Sequence, residues 1–155
     1  MNTKMTLEIN SYSSEETEKL GEVLGNQLRG GEIIELISDL GGGKTTLTRG
    51  IARGVGSLDH VSSPTFKICN IYKAKNGLNI YHYDFYRLVD AGLIQYELQE
   101  PIEDPKAIII IEWGSVISDV IPKKKLDINI ENSGTNKRKI TIKIPKDFSY
   151  LKLNL

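Results

Sequence analysis

The sequence predicts an α/β fold: a mixed β-sheet flanked by helices, with an antiparallel hairpin in its C-terminal part. Three observations carry that prediction. A β-type run over residues 32–37 feeds a glycine-rich loop over residues 38–45, and a helical run over residues 46–53 leaves it. Residues 107–111 form a continuous apolar run, as a strand buried on both faces would. Residues 126–130 and 139–144 alternate with period two around Ser133 and Gly134, as a hairpin with one wet face would.

The loop sets the chemistry. Ser38, Asp39, Leu40, Gly41, Gly42, Gly43, Lys44 and Thr45 read as a phosphate-binding loop in the strand–loop–helix setting that such a loop requires. Glycines let backbone N–H groups turn inward and approach phosphate oxygens. The helix that follows points its N-terminus at the same anion. In that reading Lys44 reaches the β- and γ-phosphates and the Thr45 hydroxyl ligates Mg²⁺. The usual pattern opens on glycine, and Ser38 stands there instead. If that position needs a positive φ, serine is strained in it. The fold is therefore expected to be P-loop NTPase-like.

The remaining elements follow in order. Ser13 or Ser14 caps a helix, with Glu16 placed for a capping box. Leu20, Val23, Leu24 and Leu28 recur on one face, and Gly30-Gly31 ends that helix. After the loop helix, closed by Gly54 and Gly56, comes a loop over residues 60–65. Two strands joined across Asn76-Gly77 then form a hairpin. Residues 90–99 are expected to be a short helix.

The chain has 155 residues, the size of one domain spanning 1–155; that is short for a nucleoside-triphosphatase, with little left over for a lid or substrate domain. Its single cysteine, Cys69, excludes an intramolecular disulfide and fits a reducing compartment. That cysteine reads as a buried strand residue rather than a nucleophile. No apolar run approaches membrane-spanning length and no signal-peptide pattern opens the chain, so a cytoplasmic protein is expected. Net charge is zero but uneven: residues 1–121 hold 11 Lys+Arg against 17 Asp+Glu, and residues 122–155 hold 9 against 3. A basic end suits nucleic acid or an acidic partner. It equally suits a solvated hairpin with lysines for solubility, the reading favoured here.

A phosphate loop needs carboxylates to hold Mg²⁺ and orient water. Glu112 ends the apolar run 108–111, at the C-terminal end of a strand where ligands bind in open α/β sheets. It is the first candidate metal partner, against the alternative of an exposed residue past a strand. Asp84 closes another strand and is the second, for metal or water; the alternative is a turn residue paired with Arg87. Thr65, after Ser63-Pro64, lies in a loop of the kind that senses a γ-phosphate, or simply in a proline-stiffened turn. His82 reads as a packed polar residue and Trp113 as core.

The ordered set resembles one family. Residues 14–17 with Leu20-Gly21, residues 39–50, 63–66 and 82–88, and Ile111-Glu112-Trp113 together resemble the TsaE (YjeE) ATPases of bacterial tRNA threonylcarbamoyladenosine synthesis. The match in order and spacing runs over about residues 14–144. Ser115 stands where that family commonly has an acidic residue. The resemblance implies binding of ATP and Mg²⁺ and slow hydrolysis by the protein alone. It also implies partnership with TsaB and TsaD, the latter transferring the threonylcarbamoyl group to the adenosine beside the anticodon; tRNA would be met through that complex. Carried over residue by residue, it implies that Thr45 and Glu112 hold Mg²⁺ and that Asp84 and Thr65 serve the γ-phosphate region. Asp39, Leu40, Gly41, Gly42, Gly43, Lys44, Thr45 and Thr46 would form the phosphate cradle. Ser14, Thr17 and Arg138 would lie near the base or sugar.

Three other readings compete. A regulatory GTPase needs Asn-Lys-x-Asp, but Asn136-Lys137 runs into Arg138-Lys139. A small P-loop kinase needs an acceptor pocket and an arginine-bearing lid, and Arg87 and Arg138 are isolated candidates. A nucleotide-gated binding module with incidental hydrolysis would differ from an ATPase in its turnover with and without partners.

Overall fold

The computed structural model describes residues 4–39, 41–64, 67–86 and 91–154. Its strands are β1 (Met5–Ser11), β2 (Ile33–Ile37), β3 (Cys69–Lys73), β4 (Asn79–Asp84), β5 (Ala107–Glu112), β6 (Leu126–Gly134) and β7 (Lys137–Ile144), and its α-helices are α1 (Ser14–Gly25), α2 (Lys44–Val55) and α3 (Ala91–Glu103). The strands form one sheet in the order β1-β7-β6-β2-β5-β4-β3. The central pairs β6–β2, β2–β5 and β5–β4 are parallel, and the outer pairs are antiparallel. The predicted mixed α/β fold with a C-terminal hairpin is the one observed.

Both sheet faces are covered, which is why β5 needs no polar face: all six of its residues are buried. On one face Leu36, Ile108, Ile110 and Ile128 pack with Leu20, Leu24, Leu47 and Ile51 of α1 and α2. On the other, Ile33, Ile109 and Ile111 pack with Ile94 and Leu98 of α3.

Helices α1 and α2 meet through glycine. An added Cβ at Gly21, Gly25, Gly50 or Gly54 would lie 2.5, 2.2, 2.0 or 2.3 Å from a backbone carbonyl oxygen of the other helix. Two Gly-x-x-x-Gly spacings thus face each other and let the two backbones touch, the small-residue logic familiar from membrane helices.

Several boundaries differ from expectation. β1 was not anticipated at all; it is an edge strand whose pattern is mostly exposed or half-buried. Helix α1 ends at Gly25, not at Gly30-Gly31, because its last turn tightens through Gln27 N–H to Leu24 O (3.0 Å) and Leu28 N–H to Gly25 O (3.2 Å). Gly30 and Gly31, at φ 105° and 90°, instead turn the chain into β2. Helix α3 runs on to Glu103, through Pro101. The C-terminal hairpin turns at Asn136 (φ 58°), and β6 bulges between Asn132 and Gly134. The predicted Asn76-Gly77 turn is present, both residues having positive φ.

The β2 entry turn is held by a buried carboxylate. Glu32 accepts from Arg29 N–H (2.7 Å), Gly30 N–H (2.8 Å) and Tyr150 O–H (2.6 Å). Burial and that carboxylate push the Tyr150 phenol up. The basic C-terminal part is partly neutralised within the chain: Lys125 pairs with Glu35 and Asp127, and Lys139 with Glu8. That favours the solvated-hairpin reading. Cys69 is half-buried on edge strand β3, and burial pushes its thiol up to about 11, so little thiolate forms near neutrality. Among the described residues no helix is long and apolar enough to cross a membrane.

Candidate functional site

The loop leaves β2 at its C-terminal end and closes on α2. Gly41 and Gly43 have φ of 75° and 99°, so two peptide units turn as only glycine does without strain. Nothing lies within 4 Å of a Cβ built at Gly41. Gly43 is the N-cap of α2, and no side chain caps that helix end. The first-turn N–H groups lack the side-chain acceptor they commonly have, which leaves the position to an anion.

Lys44 is buried, and its ammonium group donates to the carbonyls of Ser38 (3.3 Å) and Asp39 (3.2 Å). The Trp113 ring centroid is 5.0 Å from Lys44 Nζ, and the Tyr86 ring packs against Trp113 in a tilted pair with centroids 4.9 Å apart. Trp113 holds this place from an αL backbone (φ 58°, ψ 42°), a conformation costing a bulky residue about 1–2 kcal/mol. Taken from sequence as core, Trp113 is half-buried and lines the site; its signal was its place just past a strand-ending glutamate.

Two carboxylates close the cavity. Asp84 and Glu112 are register partners at the C-terminal ends of the parallel strands β4 and β5. Together with Gly41, Gly42, Gly43, Lys44, Thr45, Thr46, Ser63 and Trp113 they line a cavity of about 310 Å³. Asp84 accepts from Tyr86 N–H (3.0 Å) and from Ser63 O–H (3.3 Å). Glu112 is buried and lies 3.2 Å from His82 Nε2. Ser63, quoted in the sequence only as part of a motif, is thus a member of the site. Ser115, just beyond Trp113, is exposed and does not line the cavity.

A second, smaller cavity lies beyond Gly43. It is lined by Ser13, Ser14, Thr17, Gly43, Thr46, Asn136 and Arg138. Four expected residues, Ser14, Thr17, Thr46 and Arg138, are therefore brought together from α1, α2 and β7. Arg138 also braces the loop from behind, donating to Gly42 O at 3.2 Å. Thr17 shares a hydrogen bond with Ser11 Oγ at 2.7 Å. Asp39 contributes through its carbonyl, which accepts from Lys44, from Gly42 N–H and from Ser38 O–H. Two expected residues, Leu40 and Thr65, lie outside the described residues.

The donor set fits a nucleotide phosphate with Mg²⁺. An uncapped helix end, a buried lysine on carbonyls and two in-register carboxylates around one cavity are the groups such a ligand uses. Among the described residues no cluster of three or more His, Cys, Asp or Glu is arranged to hold a metal. Mg²⁺ does not need one, since it takes one or two carboxylates and completes its shell with water and substrate phosphates.

The strain expected at Ser38 is absent: among the described non-glycine residues positive φ occurs at Asn76, Trp113 and Asn136. Ser38 Oγ sits where a Cβ on Gly42 would be, 1.6 Å from that position. Ser38 and Gly42 are thus a fitted pair. Ser38→Gly alone is expected to leave ATP affinity within about twofold, since no strain is relieved. Gly42→Ala is expected to weaken it about tenfold, with the Ser38→Gly/Gly42→Ala double variant recovering part of the loss, as contacting residues do in a cycle. Calorimetric titration of the four proteins checks this; an unaltered Gly42→Ala protein would contradict it.

The chain is similar to known proteins over most of its length. Residues 11–140 match the family model described as threonylcarbamoyl adenosine biosynthesis protein TsaE. The chain is 33% identical over 135 residues to a tRNA threonylcarbamoyladenosine biosynthesis protein TsaE of Bacillus subtilis, covering 84% of this chain and 81% of that protein. It is 38% identical over 131 residues to the Rickettsia conorii protein of the same description, covering 84% and 74%. The crystal structure of YdiB from Bacillus subtilis superposes with a TM-score of 0.74 and 28% identity, over 96% of this chain and 91% of that one.

Proposed function

Because this chain belongs to the TsaE family, we propose that it is a cytoplasmic Mg²⁺-dependent ATPase of tRNA threonylcarbamoyladenosine synthesis. In this reading it hydrolyses ATP slowly alone, acts with TsaB and TsaD, and meets tRNA only through them. The supporting observation is the convergence of Lys44, the uncapped α2 terminus, Asp84 and Glu112 on one cavity.

The residues divide the work. The glycine turns and the α2 terminus cradle the phosphates, and Lys44 turns from the carbonyls of Ser38 and Asp39 to a phosphate oxygen. Thr45 and Glu112 would hold Mg²⁺. The bound ion supplies charge neutralisation at the phosphate oxygens. Asp84, fixed by Tyr86 N–H and Ser63 O–H, orients the attacking water. The Trp113 ring lies 5.0 Å from Lys44 Nζ and shields it on one side, which strengthens its field on the phosphates. Ser14, Thr17, Thr46 and Arg138 receive the sugar and base end.

Calorimetry with ATP and GTP, with and without Mg²⁺, tests the reading; ATP is expected to bind, Mg²⁺ to tighten it, and GTP to bind more weakly. Lys44→Ala removes a charge-assisted hydrogen bond worth about 1.5–3 kcal/mol, and so about tenfold to over a hundredfold in affinity. A folded Lys44→Ala protein with native ATP affinity would remove the loop assignment.

Partnership has its own expected result. Ordering a loop around a γ-phosphate changes the face offered to a partner, so ATP is expected to tighten binding to the TsaB–TsaD pair. The partners must then tighten ATP by the same factor. Titration into the purified pair with ATP, ADP and no nucleotide measures both; equal affinities would remove the gating idea and leave ATP binding intact.

A further inference from the structure

His82 is buried on β4, with no exposed surface, between two polar groups. Its Nε2 lies 3.2 Å from Glu112 Oε2 on β5. Its Nδ1 lies 3.0 Å from the Tyr72 hydroxyl on β3. Tyr72 donates in turn to Ser62 O at 2.9 Å and receives Ser62 N–H at 3.4 Å. Sheet register creates the chain. His82 pairs with Ile110 across β4–β5 and with Asn70 across β3–β4, so Glu112 and Tyr72 each lie two residues further along on the same face. Ile80 and Ile110, on the same sheet face, belong to the apolar core. A polar triad maintained in such a place is fully hydrogen-bonded or costly. It ends on one carboxylate of the cavity, while the loop it grips presents Ser63 to the other carboxylate, Asp84.

We propose that His82 is a positioning residue: clamped between the Tyr72 hydroxyl and Glu112 Oε2, it fixes the orientation in which Glu112 meets Mg²⁺. The inference rests on the function proposed above, because it presumes that Glu112 faces a nucleotide-bound cation. The physical logic is that of outer-sphere partners of metal ligands. A ligand free to rotate loses orientation, and removing its partner costs about tenfold to a hundredfold in metal affinity.

The two ring nitrogens can be replaced one at a time. Glutamine reaches the place of Nε2 and can still donate to Glu112. Asparagine reaches only the place of Nδ1 and keeps the Tyr72 side. The measurement is Mg²⁺ affinity in the presence of a non-hydrolysable ATP analogue, by calorimetry and by fluorescence of Trp113, the single tryptophan, which adjoins Glu112. His82→Gln is expected to keep Mg²⁺ affinity within about threefold, while His82→Asn loses about tenfold or more. Affinity for the analogue without Mg²⁺ should be unchanged in both. Tyr72→Phe, which keeps the ring and removes the clamp's far end, is expected to lie between them. Circular dichroism melts identify any variant that fails to fold, and Tyr72→Phe against the native protein then carries the comparison. Equal Mg²⁺ affinity in His82→Gln, His82→Asn and the native protein would overturn the inference. Absence of Mg²⁺ binding in the native protein with the analogue would overturn the proposed function, and this inference with it.

Discussion

Glu112→Gln is expected to lower ATP turnover about a hundredfold or more while leaving ATP affinity within a few-fold. The substitution keeps the shape of a buried side chain and removes its charge. A carboxylate at a bound cation acts chiefly where charge develops on the transferring phosphoryl group, so its loss falls on turnover before binding. Glutamine still offers an oxygen and an amide to His82 Nε2, 3.2 Å away in the native protein, so the fold should hold. Single-turnover hydrolysis beside calorimetric ATP binding separates the two quantities. If turnover survives Glu112→Gln and disappears in Asp84→Asn, the roles of these register partners are exchanged.

The second large effect concerns stability. Gly50→Ala places a methyl group 2.0 Å from Glu18 O, a backbone atom that no side-chain rotation can move. Helices α1 and α2 must then separate, disturbing Leu20, Leu24, Leu47 and Ile51 between them. Overpacking costs typically about 1–3 kcal/mol and occasionally more. Alanine returns up to about 1 kcal/mol of helix propensity, which the clash outweighs. A net loss of about 2 kcal/mol corresponds to a fall in Tm of about 4–8 °C for a chain of this size. Arg49→Ala, a half-buried α2 position, serves as the control, and thermal melts of both check the claim. A Gly50→Ala protein as stable as the control would mean that the helices do not meet as closely as described.

What was legible in the sequence is what local pattern dictates. The glycine loop between strand and helix, the apolar run of β5 and the Asn76-Gly77 turn each carry their signal within a few residues, and each stands where it was expected. β1 escaped notice because its alternation is shallow: it pairs on one side only, with β7, and its outer face stays wet. The end of α1 was misplaced because Gly30-Gly31 looks like a terminator, whereas the tight 24–28 turns that end the helix leave no mark in composition. Gly21, Gly25, Gly50 and Gly54 look like helix-weakening residues until the partner helix is placed against them. Of the site, the loop, Asp84 and Glu112 were legible as residues at strand ends, and Ser14, Thr17, Thr46 and Arg138 came only through resemblance. The Tyr72–His82–Glu112 chain was not legible, since its members meet only through the register of three strands. Trp113, read as core, packs half-buried against the apolar cluster of α3 and also lines the site.

The pairing of β1 with β7 has a consequence for how the molecule assembles. Met5 lies opposite Ile144 and Ser11 opposite Arg138, so the outer edge of the sheet joins segments nearly a chain length apart. Such high contact order slows folding, because the closure entropy must be met before the pairing rewards it. The cavity beyond Gly43 takes its walls from residues 13–17 and from Asn136 and Arg138, so it is complete only after that late event. A ligand that touches both the glycine loop and this second wall therefore ties the two ends of the chain to the middle of the sheet.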